Sequence, residues 1–296
     1  MMKYLKKIMK EPEMAGIYFM ELTAKLWPAK WYIKFFYYLH LKEWPDLDNP
    51  RNFNEKLNWL KLHDRNPLYT RLADKCEVKK YVAEKIGSDR VVPLLGVWNH
   101  FDEIDFDKLP DQFVLKCTHD SGSCIVCDHK QTFDKESART KLERCLQNNF
   151  YWNKREWVYK DVPPRIIAEQ FLNDGRQGEL QDYKFWCFNG EPRVVYITNK
   201  GQSIFENFYD MDFSPLDINH GYPRSIPEFS KPNHFDEMKL LAKKLSKGIP
   251  FVRVDFFLVD QRVFFGEFTF YDWAGFYPFT PPEWNDIMGD WLELNG

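Results

Sequence analysis

The sequence predicts an α+β fold built on antiparallel hairpins, and three observations carry that expectation. Short apolar runs of strand length dominate from about residue 112 onward. Two of them flank Asn189-Gly190, a pair suited to the left-handed turn of a tight hairpin. Helix start and stop signals are scattered between the strand signals without the steady strand–helix alternation of a doubly wound sheet. At 296 residues the chain has room for one large or two modest domains with a sizeable core.

The elements follow in chain order. Residues 1–10 are basic, like the start of a secretory signal, but Glu11, Pro12 and Glu13 stand where an apolar core should follow, so secretion is not expected. The first 44 residues carry eight lysines and four acids, and the aromatic stretch Trp27-Pro28-Ala29-Lys30-Trp31-Tyr32-Ile33-Lys34-Phe35-Phe36-Tyr37-Tyr38 reads as a helix after Pro28. Its aromatics surround the helix, which favours docking on its own domain over lying on an anionic membrane, though contact of residues 1–44 with a membrane surface stays open. Phe53, Leu57 and Leu60 are spaced for a helix over 52–63. Asp74 and Glu77 read as the capping box of a further helix closed by Gly87. Residues 94–98, 113–117, 124–127, 165–171, 182–188, 192–198, 251–259 and 262–268 read as strands. Residues 134–150 and 233–248 read as helices, and 209–232, with Pro215, Pro223 and Pro227, as a long loop.

Composition excludes several classes. The net charge of -3 gives no basic excess for general nucleic-acid binding, and 18% aromatic residues are unlike a disordered chain. No window has the 18–20 apolar residues, roughly, of a membrane-spanning helix. Six cysteines in this length make no disulfide framework, so a cytoplasmic location is expected. The seven histidines are scattered, and no Ser/His/Asp arrangement supports a nucleophilic hydrolase.

Three constellations could carry chemistry. Lys116 precedes the small-residue turn Ser121-Gly122-Ser123, whose backbone N–H groups could converge on a phosphate; an ordinary hairpin turn is the alternative. In the segments 252–256 and 265–269, strand alternation sets Arg253 and Asp255 on one face, with Glu267 on the neighbouring strand. Two carboxylates among Phe256, Phe257, Phe264 and Phe265 need a compensating cation, either magnesium or, in a buried ion-pair network, Arg253 itself. Cys117, His119, Cys124, Cys127 and His129 invite a zinc reading, but Cys124 and Cys127 fall on opposite faces of a regular strand, which favours structural cysteines.

In chain order these segments resemble the ATP-grasp superfamily. Asp74-Lys75 looks like its first lysine at a helix start, and Phe113-Val114-Leu115-Lys116 like its second on a strand, followed by the phosphate loop Ser121-Gly122-Ser123. Ile167-Ala168-Glu169-Gln170-Phe171-Leu172 resembles the hinge that holds adenine, which implies Glu169, Gln170 and Leu172 as adenine contacts. Asp182-Tyr183-Lys184-Phe185 resembles the strand whose acid binds ribose and whose basic residue faces the phosphates. Arg253 matches the transition-state arginine; Asp255 and Glu267 match the magnesium carboxylates. Thr269, a poorer ligand, stands where many relatives have asparagine, which leaves a second ion either weakly held or resting on Asp272 or water. The closer resemblance is to the TupA-like branch of polysaccharide gene clusters, through residues 52–62, 182–185 and 265–270.

The resemblance implies two α+β lobes enclosing a nucleotide cleft, with a helical extension over 1–66, an N-terminal lobe over 67–168 and a C-terminal lobe over 169–296. It implies ATP and Mg2+ as cofactors, Arg253 and Lys184 as catalytic residues, and an acyl phosphate formed on a uronic acid or similar carboxylate, then attacked by an amine. Trp273, Phe276 and Tyr277 would suit a sugar-binding wall or plain core packing. The rivals are a sugar kinase, a glycosyltransferase of the same gene clusters, and a non-catalytic membrane-associated assembly protein.

Overall fold

A computed structural model describes residues 13–173, 180–200 and 203–294; the basic start at 1–10 lies outside them. Two antiparallel sheets organise the chain. The smaller has the order β1-β4-β2-β3, from β1 (Leu94–Trp98), β2 (Phe113–Cys117), β3 (Ile125–Cys127) and β4 (Ile166–Gln170). The larger has the order β10-β9-β5-β6-β7-β8, from β5 (Asp182–Phe188), β6 (Glu191–Lys200), β7 (Ile204–Tyr209), β8 (Pro215–Leu216), β9 (Phe251–Val259) and β10 (Arg262–Thr269). Asn189 and Gly190 both take positive φ, 51° and 84°, which closes the β5–β6 hairpin as the sequence demands.

Helices cover these sheets through apolar stripes. Before the first strand run α1 (Glu13–Leu22), α2 (Ala29–Leu41), α3 (Phe53–His63), α4 (Pro67–Ala73) and α5 (Glu77–Ile86); α6 (Lys135–Leu146) and α7 (Tyr151–Lys154) lie between β3 and β4. Then come α8 (Phe235–Ser246) between β8 and β9, and α9 (Glu283–Trp291). Ala138 and Leu142 of α6 share a core with Phe113, Leu115 and Ile166 of the small sheet. The large sheet's core takes in α8 but also Phe53 and Leu57 of α3, Leu72 of α4, and Val78 and Val82 of α5. The helices of residues 53–86 therefore pack with the large sheet although they precede the small one in the chain. A third core joins Tyr32, Ile33, Phe36 and Tyr37 of α2 to Ala274 and Phe276.

Several boundaries differ from the sequence reading. Asn66 caps and Pro67 opens a separate helix, α4, so Asp74 ends that helix and Lys75 sits in the turn before α5. Asp74 still caps, its Oδ1 accepting from the Cys76 and Glu77 N–H groups at 2.8 and 3.2 Å. The helix expected over 134–150 stops at Leu146, where Asn148 and Asn149 turn their side chains onto nearby backbone groups. The stretch read as a loop over 209–232 contains β8 and a bridge from Asn219 to Thr280. Strand β7 and helices α1 and α9 lie where the sequence reading assigned no element, although α9 is plainly amphipathic. The six cysteines are free, Cys124 exposed and Cys127 buried, as opposite strand faces require.

Candidate active site between the two sheets

The cleft forms where β2 and β4 of the small sheet face β10 and α5. Lys75, Lys79, Lys116, Glu169, Gly266 and Glu267 line it together with Tyr159 and apolar side chains. Lys116 points into it because β2 alternates, with Phe113, Leu115 and Cys117 buried in the opposite core. Glu169, one strand over, receives Lys116 Nζ at 2.6 Å on Oε2 and Lys79 Nζ at 2.6 Å on Oε1. Burial works against the charge of all three. The ion pairs outweigh it for Lys116, which is held above its ordinary value, and for Glu169, which is held below, while Lys79 is left lowered. Lys75 donates to the Asp120 carbonyl, and burial lowers its pKa against the pull of Glu267.

Strand β10 contributes Glu267 through an irregularity. Its pairing with β9 shifts between Phe265 and Phe268, so Gly266 and Glu267 stand where one residue would fit. The bulge keeps Phe265 and Phe268 both in the core and leaves Glu267 facing the cleft, 47% exposed. Asp255, by contrast, is buried and lies opposite Lys184 of β5. Arg253 ties the carboxylates together. Its Nε and Nη2 donate to the two Asp255 oxygens at 2.7 Å each, Nη2 also to Glu267 Oε1 at 3.0 Å, and Nη1 to Asp272 Oδ1 at 2.6 Å. Burial opposes the guanidinium's charge, but Asp255, Tyr196 and Asp272 drive its pKa further up. Nearby protein atoms push the Glu267 carboxyl upward, yet Arg253, Lys75, Lys184 and Lys116 hold it below its ordinary value.

The sheet places the remaining candidates as follows. Lys184 Nζ lies 2.8 Å from Asp182 Oδ2 and 3.1 Å from Asp255 Oδ2, all three buried on the cleft face of β5 and β9. Asp182 also accepts from Thr198 Oγ1 at 3.3 Å. Gln170 is exposed at the end of β4, and Leu172 is half-buried just beyond it. The Ser123 hydroxyl is spent inside its own turn, accepting from Cys117 N–H at 2.8 Å and donating to Asp120 at 2.6 Å, while Ser121 and Gly122 are exposed. Phe276 is not a sugar wall: it is buried against Phe36 and Tyr37. Trp273 and Tyr277 stay half-buried, 4.8 Å apart.

The metal candidates converge on one point. Asp255 Oδ2 and Glu267 Oε1 both lie within 3.0 Å of Arg253 Nη2, and Thr269 Oγ1 is 3.4 Å from Glu267 Oε1. Among the described residues no group of three or more His, Cys, Asp and Glu side chains is disposed around a metal position. Two carboxylates and a hydroxyl are nevertheless hard oxygen donors of the kind magnesium takes, and a cationic nitrogen already occupies their shared focus. Sequence reasoning missed Lys79 and Tyr196, and offered Asp272 only as an alternative metal ligand, whereas its carboxylate accepts from Arg253. Lys79, one helical turn beyond Lys75, was legible in principle; Asp272 and Tyr196 reach Arg253 only through the fold.

A search of curated proteins returns no match. Among solved structures the chain resembles the D-alanine–D-alanine ligase of Bacillus anthracis complexed with ATP, at 14% identity and a TM-score of 0.40, over 67% of this chain and 54% of that one. It also resembles the N5-carboxyaminoimidazole synthase of Aspergillus clavatus in complex with ADP and 5-aminoimidazole ribonucleotide, at 14% identity and a TM-score of 0.37, over 67% of this chain and 44% of that one. The chain thus matches about half the length of these proteins. A family profile described as TupA-like ATP-grasp matches residues 55–293, which takes in all but the first two residues of α3, both sheets and every side chain lining the cleft. The chain therefore belongs to the TupA-like ATP-grasp family, with the α+β fold that name denotes.

Proposed function

We propose that this chain is an ATP-dependent carboxylate–amine ligase acting on a uronic acid or similar carboxylate in surface polysaccharide assembly. One observation carries the reading: Lys75, Lys116 and Glu267 line a single cleft, and Arg253 joins Glu267 to Asp255 and Asp272 behind it. A cleft with lysines on one wall and carboxylates on the other suits a polyphosphate and its counter-ion. Lys79 and Lys116 rest on Glu169, and a bound triphosphate offers them stronger anionic partners, leaving Glu169 and the end of β4 to meet the base. Asp182 and Lys184 border the same face, on the ribose and phosphate side.

Asp255 and Glu267, with Thr269 beside them, would hold magnesium, which supplies charge neutralisation at the outer phosphates. The protein's own part is positioning. A substrate carboxylate oxygen attacks the γ-phosphorus, the bond to the β-phosphate oxygen breaks and ADP leaves. The amine nitrogen then attacks the acyl phosphate carbon, phosphate departs, and the amine's extra proton passes to solvent. Arg253, held by Asp255 and Asp272 behind Glu267, stabilises the oxyanion of that second step, and Lys184 screens the phosphates. No protein nucleophile is needed.

The test is ADP release from MgATP that depends on both a uronate and an amine, with the product's mass showing an amide. A phosphoester product without an amine would make the protein a kinase, and binding of nucleotide sugars without ATP a glycosyltransferase.

A peripheral membrane position for the same enzyme draws support from the N-terminal helices. Trp31, Phe35, Tyr38 and Trp44 form one ring-to-ring cluster, with Trp31 and Trp44 each 55% exposed. Lys34 lies on α2 with the first three, Lys42 just past its end, and Lys25 in the short turn before it. Interfacial tryptophans beside lysines suit an anionic bilayer surface. Among the described residues no helix is long and apolar enough to cross a membrane. Sedimentation with phosphatidylglycerol vesicles but not phosphatidylcholine vesicles, lost in Trp31→Ser/Trp44→Ser, is the expected result.

A further inference from the structure

Helix α3 carries a buried polar stripe that ordinary packing does not require. Asn54, Asn58 and Lys61, spaced i, i+4, i+7 on one face, are each exposed by 1% or less. All three donate to backbone carbonyls of one short turn. Asn54 Nδ2 reaches Tyr277 O at 2.9 Å, Asn58 Nδ2 reaches Gly275 O at 2.8 Å, and Lys61 Nζ reaches Ala274 O at 2.6 Å. Lys61 spends its other two protons on Asn58 Oδ1 at 2.9 Å and Lys154 O at 3.0 Å, and lies 4.0 Å from the centre of the Phe276 ring. An ammonium is costly to bury, and a leucine would fill the space.

The turn they hold is strained. Trp273, Ala274 and Gly275 follow one another at φ of 45°, 55° and 63°, a left-handed run that two of those side chains disfavour. Gly275 sits against α3 so closely that an added Cβ would come within 2.9 Å of Asn58 Nδ2. The residue that opens the turn is Asp272, whose Oδ1 takes Arg253 Nη1 at 2.6 Å and the Tyr196 hydroxyl at 3.2 Å. A continuous path thus runs from α3 through the turn to Asp272, then to Arg253 and Glu267.

We propose that Asn54, Asn58 and Lys61 are positioning residues for the Arg253 site: they clamp the turn of residues 272–277 in its left-handed form so that Asp272 orients the guanidinium. The inference rests on the ligase reading for its kinetic consequence but not for its geometry. It makes α3 part of the active-site scaffold and no mere extension before it.

The experiment compares Lys61→Met, Asp272→Asn and their double variant with Lys56→Met. Lys56, on the same helix, donates to Gly289 O and Leu292 O and does not touch the turn. Two readouts are taken on the full chain: ADP release from MgATP with glucuronate and mixed amino acids, and amide hydrogen exchange over residues 270–280. In Lys61→Met kcat falls about tenfold or more with the KM for ATP unchanged, because an oxyanion stabiliser is misaimed while the nucleotide contacts stand. The double variant is no slower than Asp272→Asn, and Lys56→Met lowers the unfolding midpoint but not kcat. The Ala274 and Phe276 amides, which bond to Tyr271 O and Trp273 O, lose protection only in the Lys61 variants. Should Lys61→Met fold poorly, Asn54→Ala removes one clamp contact and shows the same signs at smaller amplitude.

Unchanged protection at residues 273–277 in Lys61→Met overturns the proposal, as does lost protection with full kcat, or kcat losses that multiply in the double variant. If the native enzyme releases no ADP, the ligase reading falls, and hydrogen exchange alone then decides whether α3 clamps the turn.

Discussion

Arg253 donates through Nη1 to Asp272 Oδ1 at 2.6 Å, and this bond fastens the first part of β9 to a turn that lies outside both sheets. The same guanidinium holds Asp255 in a two-bond fork and touches Glu267. Three acids of one site therefore share one guanidinium, with Lys184 as a second cation on Asp255.

Removing that side chain should be costly. Arg253→Met leaves Asp272 buried without its guanidinium partner and Asp255 with Lys184 alone, and breaking a buried pair in this way costs about 3–5 kcal/mol. Arg253→Lys keeps the charge but loses the fork, and should fall between. Urea unfolding measures both; a midpoint unchanged in Arg253→Met would mean the network contributes nothing.

Nucleotide binding should appear as thermal stabilisation. A ligand at 100 times its dissociation constant adds about 2.7 kcal/mol to the apparent stability. ATP analogues with Mg2+ should raise the melting temperature of the native chain. Lys116→Met should lose most of that shift, and Glu267→Gln should lose the part that depends on Mg2+. Equal shifts in all three proteins would remove Lys116 and Glu267 from the site.

Glu206 sets a pH dependence. It is buried on β7, and burial pushes its carboxyl up to about 8 from an ordinary value near 4.5, against the N–H bonds it accepts from Tyr222 and His220. A raised acid binds its proton more tightly folded than unfolded. Stability from this group is thus complete below about pH 4.5 and declines as pH rises toward 8, by up to about 5 kcal/mol. Glu206→Gln keeps an acceptor for the two N–H groups and removes the titration. It should be markedly more stable than the native chain at pH 8.5 and nearly equal to it at pH 5. Parallel stability curves for the two proteins would show that Glu206 ionises freely.

Two glycines separate strain from crowding. Gly248 has φ +78° and open space around an added Cβ, so Gly248→Ala should cost about 1–2 kcal/mol for the left-handed backbone alone. Gly275 has φ +63° and would meet Asn58 Nδ2 at 2.9 Å and Leu57 Cβ at 3.1 Å, so Gly275→Ala should cost several-fold more in chemical unfolding. Equal costs would mean that α3 yields easily at the turn.

Much of this was legible before any coordinates. The Asn189-Gly190 hairpin, β2, β4, β5, β9 and β10 fall within a residue or two of their expected bounds, because alternation and turn chemistry are local signals. Lys116, Arg253, Asp255 and Glu267 stood out as charges inside apolar strands, whereas Glu169 came only from the family resemblance. The start of α5 did not, because Asp74 caps a turn between two helices and looks the same in sequence as a residue opening one.

By itself the sequence determined the α+β class, the strands and the charged positions that each strand carries, since these follow from periodicity over a few residues. Tertiary structure alone decided that Lys79 shares Glu169 with Lys116, that a bulge turns Glu267 toward Arg253, and that Asn58 and Lys61 reach across 213 or more positions to the turn beyond β10. Such contacts are fixed by packing between distant segments, and no local pattern encodes a partner that lies two hundred residues away.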